Sequence, residues 1–361
     1  MKKFLLGLVF TIFIISDSFA QVIKPSQEAL ENLDQKIESF MKERAIPGAQ
    51  IAVASHGKVI YLKSYGMANV ELSVPVSDKS VFEIGSISKQ FVSVGAMLLV
   101  EEGKLGLDDP IHTYLPYLPS EWLGVTVRHL MNHTSGIPDY EEIGTYDTYS
   151  FRFTPEEIIR IAHSRPIDFE PGKGWYYSNT GYFLLSLIVE RIEGQPLDKI
   201  LKTRIFDLLG MTNTGFSNPE EIIPNRVSGY WVNKIGKLIN RNPIEFSSTL
   251  GAGGILSTAQ DIAKWDAALY GNDLLSEASK AAMWAPTNLS DGTRKDYGFG
   301  WVVNEYKGLK TQNHSGQVAG FVANFYRFPE QNIAFIIFMN RYRVGGGRVE
   351  TLIDTFMPNL P

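Results

Sequence analysis

The chain has 361 residues, no cysteine, and 34 lysines and arginines against 39 aspartates and glutamates, for a formal charge of −5. That length supplies core for one large domain or two closely joined ones. The missing thiols exclude disulfides and lipid attachment through cysteine, and an acidic balance without a basic run argues against nucleic acid as a partner.

Lys2 and Lys3 open the chain, a short apolar stretch runs from Phe4 to Ile15, and Ser18-Phe19-Ala20 offers a small-x-small cleavage site. Residues 1–20 therefore read as a secretory signal peptide. A membrane anchor needs about 20 apolar residues, and Ser16, Asp17 and Ser18 cut this stretch short; no other stretch is long enough to span a bilayer. Removing Lys2, Lys3 and Asp17 takes the formal charge from −5 to −6. The expectation is a soluble exported protein, most simply periplasmic, with residues 21–361 as one domain and no stable membrane anchor.

Glu28 to Arg44 carries Leu30, Leu33, Ile37, Phe40 and Met41 at helical spacing and stops at Ala45-Ile46-Pro47-Gly48. Gln50–Ala54 and Val59–Leu62 read as strands joined by the hairpin signal Ser55-His56-Gly57-Lys58. Phe82-Glu83-Ile84-Gly85 leads into Ser86-Ile87-Ser88-Lys89, and the almost wholly apolar run Phe91–Val100 predicts a buried helix ending near Gly103. From Asp108 to Pro286 the pattern changes to helices and long loops. Thr154-Pro155-Glu156-Glu157 is a capping box with proline at the first helical position, and Thr258 to Asp261 repeats the cap. Strands return at Tyr297–Tyr306, Phe321–Phe328 and Ile333–Met339, the last two turned by Pro329-Glu330-Gln331-Asn332, and a helix is predicted over Arg348–Met357. The fold class is α/β. A sheet built from both ends of the chain (about 21–107 and 287–361) is interrupted by an all-helical part (about 108–286), with a groove at their junction.

Ser86 and Lys89 are three residues apart and share a face of the first helical turn, so a hydroxyl and an amine touch. A serine hydroxyl is a poor nucleophile at neutral pH unless a neighbouring base or cation eases its proton away, and a helix N-terminus adds donor N–H groups and partial positive charge. S-x-x-K alone also fits a helix cap and a surface lysine. Two further stretches change that reading. Tyr177-Ser178-Asn179 follows the Pro/Gly turn Glu170–Gly174 and leads into the apolar helix Phe183–Val189, and His314-Ser315-Gly316 precedes the late strand pair. In this order and at these broad spacings the three triplets resemble the penicillin-recognising serine hydrolases: class C β-lactamases, D-alanyl-D-alanine carboxypeptidases and related esterases and D-aminopeptidases. Leu130–Tyr140, Leu208-Leu209-Gly210-Met211 with Thr214, and Gly253–Asp261 look like further landmarks of that family, so the resemblance covers roughly residues 30 to 340.

The resemblance implies a β-lactamase/transpeptidase-like fold, an antiparallel sheet flanked by helices with a large helical insertion, and an acyl-enzyme mechanism without cofactor or metal. In it Ser86 would attack a carbonyl. Lys89 and Tyr177, whose phenol would be made more acidic by nearby positive charge, would share the base role. Asn179 would hydrogen-bond Lys89 and the substrate amide, and the backbone N–H groups of Ser86 and Gln317 would form the oxyanion hole. Gly316 would keep the strand open to substrate. Where class C β-lactamases usually carry Lys-Thr-Gly, this chain has His314-Ser315-Gly316. A histidine of ordinary pKa, about 6.5, is mostly neutral at pH 7, so attraction for a substrate carboxylate would be weaker and pH-dependent. That substitution looks more like some carboxypeptidases and D-peptidases than like a dedicated β-lactamase.

Other signals have plainer readings. His129 and His133 lack a His-Glu-x-x-His pattern and read as structural, and His56, His112 and His163 read as solvent-facing or satisfied by hydrogen bonds. Gly251-Ala252-Gly253-Gly254 and Gly345-Gly346-Gly347 lack phosphate-loop spacing and fit close backbone packing. The G-x-S-x-G elbow of α/β-hydrolases is absent. Trp175, Tyr176, Tyr177 and Tyr182 fit either a pocket wall or core, and Tyr140, Tyr146, Tyr149 and Phe151 fall in a stretch that could overhang the groove. The expected protein is a hydrolase of amides or esters, acting on a small molecule or peptide such as a D-amino-acid peptide, an ester or a β-lactam. The alternatives are a class C-like β-lactamase and a non-catalytic penicillin-binding sensor.

Overall fold

The computed structural model describes residues 24–143, 150–242, 244, 245, 247, 249–344 and 349–360. The expected signal peptide, Tyr146, Tyr149 and Gly345-Gly346-Gly347 lie outside the described residues. In chain order the strands are β1 (Gly48–Ser55), β2 (Lys58–Asn69), β3 (Val74–Pro75), β4 (Phe82–Glu83), β5 (Gly215–Phe216), β6 (Tyr230–Val232), β7 (Leu238–Asn240), β8 (Ile255–Ser257), β9 (Thr287–Asn288), β10 (Arg294–Lys295), β11 (Val302–Tyr306), β12 (Leu309–Val318), β13 (Phe321–Phe328) and β14 (Ile333–Met339). The helices are α1 (Gln27–Glu43), α2 (Ser88–Glu101), α3 (Val127–Met131), α4 (Tyr140–Ile143), α5 (Pro155–His163), α6 (Asn179–Glu193), α7 (Leu197–Leu201), α8 (Leu250–Gly253), α9 (Ala259–Ala268), α10 (Glu277–Met283) and α11 (Val349–Phe356).

Both ends of the chain meet in one antiparallel sheet, in the order β11-β12-β13-β14-β1-β2-β3. β1 pairs with β14 in the register Ile51↔Ile337. Side chains alternate across a strand, and here each face has its own core. Ile51, Val53, Phe335 and Ile337 pack with Leu33, Ile37 and Phe40 of α1 and Leu352, Ile353 and Phe356 of α11. Ala52, Ala54, Ile336 and Phe338 join the larger core of α2, α6 and α9 on the other face. With both faces covered, β1 and β14 are buried along their whole length and apolar but for Gln50 and Ser55 of β1; Gln50 is satisfied by Ser77 O and Ala259 N.

α5 and α9 begin where the capping signals lie: Thr154 Oγ1 accepts from Glu157 N at 3.3 Å, and Thr258 Oγ1 from Asp261 N at 3.2 Å. Three stretches differ from expectation. Residues 297–301 are not strand but a tight turn, closed by Gly298 N–H on Trp301 O at 2.8 Å, so the strand starts at Val302. His314-Ser315-Gly316 lies inside a strand, β12, whose first half, Leu309 to Asn313, is too polar to show strand alternation. The helical middle also holds β5 to β8, with β8 pairing β5 and the earlier β4, and β6 pairing β7; all are two or three residues long and leave no readable periodicity.

Candidate active site

Ser86 sits in a single 3-10 turn, Gly85–Ile87, that runs directly into α2. Two glycines let this turn press against β12. Gly85 has φ +53, and a Cβ there would stand 2.7 Å from Gln317 N; a Cβ on Gly316 would stand 1.8 Å from Ile84 O. β11 pairs with β12 only as far as Asn313, so the edge from His314 to Val318 faces the Ser86 turn. The backbone N–H groups of Ser86 and Gln317 thus flank one backbone-to-backbone contact. Gly316 is required by Ile84 O on that turn rather than by the approach of substrate.

The turn is held from behind. Glu83, 4% exposed on β4, accepts from Arg241 Nη1 and Nη2 at 2.6 Å each and from Arg226 Nη2 at 3.1 Å. Arg241 Nη1 also donates to Ala319 O at 2.9 Å, tying the lead-in to Ser86 to the far end of β12. The two guanidinium groups keep the Glu83 carboxyl below its ordinary pKa despite burial.

Lys89 is fully buried, and its ammonium is spent on three acceptors: Ser86 Oγ at 3.1 Å, Asn179 Oδ1 at 2.7 Å and Ala252 O at 2.7 Å. Burial lowers its pKa to about 8, against the opposing pull of the Glu141 and Asp139 charges. Asn179 opens α6, whose cap is Ser178 Oγ on Gly181 N at 3.2 Å. Asp139 fixes it in turn: one carboxylate oxygen accepts from Asn179 N at 2.9 Å and from Asn179 Nδ2 at 3.1 Å. Because Nδ2 is on Asp139, the amide oxygen must face Lys89, and one Nδ2 hydrogen remains for a substrate carbonyl.

The Tyr177 ring lies 4.8 Å from Lys89 Nζ and is stacked on His133, centroids 4.3 Å apart. Among the described residues its buried hydroxyl has no hydrogen-bond partner. Burial holds the phenol well above its ordinary pKa, with Ser86 pulling it down by less. The expected acidification by positive charge is therefore outweighed by desolvation. His133, at φ +65, clamps this stretch, its carbonyl accepting from Tyr176 N at 3.0 Å and its Nδ1 from Ser178 N at 3.1 Å.

His314 departs most from expectation. Its Nδ1 faces Ser315 O at 2.6 Å and its Nε2 faces the Tyr297 hydroxyl at 2.9 Å. A carbonyl only accepts, so Nδ1 carries the hydrogen and Nε2 accepts from Tyr297. Burial and the Lys89 charge lower its pKa to about 4. The imidazole is neutral across the physiological range, so the expected titration toward a substrate carboxylate near pH 6.5 does not occur.

Ser86, Tyr177, Asn179, His314, Ser315 and Gln317 line one cleft of about 420 Å³, together with Glu141, Trp175, Tyr297 and Tyr342. Lys89 lies beneath it. Asp139, Glu141, Tyr297 and the Ala252 carbonyl were not singled out from the sequence. Asp139 lay within the landmark Leu130–Tyr140, whereas Tyr297 carried no signal. Of the residues read as wall or core, Tyr182 is core, its hydroxyl donating to Met131 O at 2.8 Å; Tyr140 is buried, and Phe151 is 59% exposed. No helix among the described residues is long and apolar enough to cross a membrane.

The arrangement has counterparts in known proteins. Residues 33–353 match the family model Beta-lactamase. The chain is 32% identical over 332 residues to Penicillin-binding protein 4* of Bacillus subtilis, covering 87% of this chain and 72% of that one. Among solved structures it is similar to the octameric penicillin-binding protein homologue from Pyrococcus abyssi, with a TM-score of 0.77, 28% identity and coverage of 92% of this chain and 80% of the other. It is also similar to the D-amino acid amidase from Ochrobactrum anthropi SV3 complexed with D-phenylalanine, with a TM-score of 0.74, 26% identity and coverage of 87% and 94%.

Proposed function

Because this chain belongs to the beta-lactamase family, whose members of this fold are serine hydrolases, we propose that it is an exported hydrolase that acylates Ser86 with the carbonyl of an amide or ester, D-amino-acid peptides and their amide and ester relatives being the substrate class. The observation that carries the proposal is the contact of Lys89 Nζ with Ser86 Oγ at 3.1 Å at the floor of the cleft.

In the mechanism, neutral Lys89 accepts the Ser86 hydroxyl proton as Oγ attacks. Its pKa of about 8 makes the free amine far easier to reach than a Tyr177 phenolate, whose pKa burial raises. The oxyanion receives the N–H groups of Ser86 and Gln317. The leaving amine or alkoxide takes the proton back as its bond to the carbonyl breaks, directly or through the Tyr177 hydroxyl, and water then hydrolyses the acyl-Ser86 ester. A neutral His314 weighs against a dedicated β-lactamase, because the ring offers a β-lactam carboxylate no charge. Residues of all three triplets meet at one cleft, with Lys89 on Ser86 beneath it, which weighs against a non-catalytic sensor.

The test is intact-mass spectrometry after a fluorophosphonate probe and, separately, a simple penicillin, with Ser86→Ala in parallel. The expected result is one adduct per chain on the native protein and none on the variant at an unchanged melting temperature. Labelling of the variant, or no labelling of either protein by the fluorophosphonate, would remove Ser86 as the nucleophile.

A further inference from the structure

Two hairpin turns carry large apolar side chains into solvent. Leu72, in the β2–β3 turn, is 75% exposed, and Ile235, at the tip of the β6–β7 turn, is 85% exposed. The two hairpins form one unit. Tyr230 Oη accepts from Val70 N at 2.7 Å, Ser228 Oγ accepts from Asn69 Nδ2 at 2.9 Å, and Asn240 Nδ2 donates to Glu71 Oε1 at 2.8 Å. Met67, Val70, Val74 and Ile239, each more than a third exposed, extend the apolar surface along the same hairpins. The β6–β7 tip is held in shape: Asn233 Oδ1 accepts from Ile235 N at 3.1 Å and from Lys237 N at 2.9 Å, and Gly236 takes φ +80. Lys234 and Lys237 flank Ile235, both exposed, and among the described residues neither is in an ion pair. This local positive charge stands on a chain of net charge −5. Glu71, the acid between the two turns, is held by Asn240. The unit adjoins the cleft, since the ring of Trp231 on β6 lies 5.1 Å from that of Tyr342 in the cleft wall.

Exposed apolar surface of this kind marks a contact with a partner or a membrane. A stable protein interface takes about 800 Å² from each side and is depleted in lysine, whereas two protruding turns offer little area and carry lysines at the tip. A bilayer surface suits them better: its headgroup region admits apolar side chains, and an anionic one attracts the flanking ammonium groups. We propose that this face docks the protein reversibly on anionic phospholipid bilayers. Ile235 and Leu72 enter the headgroup region, Lys234 and Lys237 pair with lipid phosphates, and the cleft is held next to the membrane surface. The assignment is independent of the reading of Ser86 as nucleophile.

The absence of cysteine lets Ile235→Cys carry a single polarity-sensitive fluorophore. The chain from Gln21 onward, which holds every described residue and leaves out the apolar stretch Phe4–Ile15, is titrated with phosphatidylcholine vesicles, with and without phosphatidylglycerol. The label should brighten on the anionic vesicles and not on the neutral ones, and high salt should weaken the response. The same label on Leu123→Cys, an exposed position in the helical part, should stay dim. In co-sedimentation with the unlabelled protein, Lys234→Gln with Lys237→Gln should lower partitioning by about thirtyfold, and Ile235→Ser by about tenfold, both at an unchanged melting temperature. Equal binding to neutral vesicles, equal brightening at Leu123, or native partitioning of either variant would overturn the assignment. Brightening at Ile235 that follows protein concentration without vesicles would give the face to a second copy of the chain and overturn it as well.

Discussion

The Tyr297 hydroxyl, 2.9 Å from Nε2 of His314, fixes that imidazole as the neutral tautomer with its hydrogen on Nδ1. A residue with no motif of its own thereby shares in fixing the tautomer of one that belongs to a motif, whose charge is set by burial and Lys89. Loss of this neutral pair has a thermodynamic signature. His314 titrates near 6.5 in the unfolded chain and at about 4 in the fold. Between those values the unfolded chain binds more protons, so stability is full above pH 6.5 and falls as pH drops toward 4. His133 is shifted the same way, also by burial. Denaturant melts of His314→Gln should therefore lose about 2 kcal/mol less than the native protein between pH 7.5 and pH 4.5. Equal losses would mean that His314 is not held neutral.

Hydrolysis of a neutral ester should rise with pH through an apparent pKa near 8, as Lys89 sheds its proton. No limb is expected near 6.5. A kcat/KM profile already flat from pH 6 would exclude Lys89 as the base.

Asp139→Asn should move that limb to lower pH, since the Asp139 charge raises the proton affinity of Lys89. The same variant loses one acceptor for Asn179, so kcat/KM should fall by about tenfold. The direction of the pH shift is the diagnostic: a purely structural loss would lower the rate and leave the limb in place.

Gly316→Ala inserts a methyl 1.8 Å from Ile84 O, a contact between two backbones that no side-chain rotation relieves. The expected cost is about 1–3 kcal/mol of stability, with a fall in kcat as Ser86 and Gln317 move apart. A variant with native melting temperature and native kcat would show that the turn and β12 do not touch.

Arg241→Leu leaves Glu83 buried with Arg226 as its remaining cation and unties Ala319 from the Ser86 turn. Removing one partner of a buried pair costs about 3–5 kcal/mol. Replacing Glu83 by Leu in the same chain should recover part of that loss, and calorimetric melts of both single variants and the double variant measure how much.

Legibility in the sequence followed the range of each interaction. Ser86 and Lys89 lie one helical turn apart, and Thr154 and Thr258 cap helices three residues on, so their partners were readable from spacing. Lys89 with Asn179, Asp139 with Asn179 and Tyr297 with His314 are joined by the fold alone. β12 escaped because its first half, Leu309 to Asn313, carries polar residues where alternation would show, and β4, β5 and β8 because two or three residues carry no period. His314 reads as mostly neutral at pH 7 from its residue type alone, but how far below 6.5 it titrates is not legible for a related reason: the ordinary pKa of a residue type holds in water, and the burial that lowers it comes from the fold.

The pairing of β1 with β14 sets a timetable for folding. Register partners 278 (Ser55 and Ile333) to 290 (Ala49 and Met339) positions apart cannot meet until β14 has left the ribosome.

 Until then the β1–β2 hairpin has an unsatisfied inner edge, and the Ser86 turn lacks the strand it leans on. High contact order of this kind makes folding slow and leaves the growing chain open to misassociation. It also keeps the proposed Ser86 nucleophile unassembled during synthesis: the cleft around it does not close before β14 joins β1 and β13.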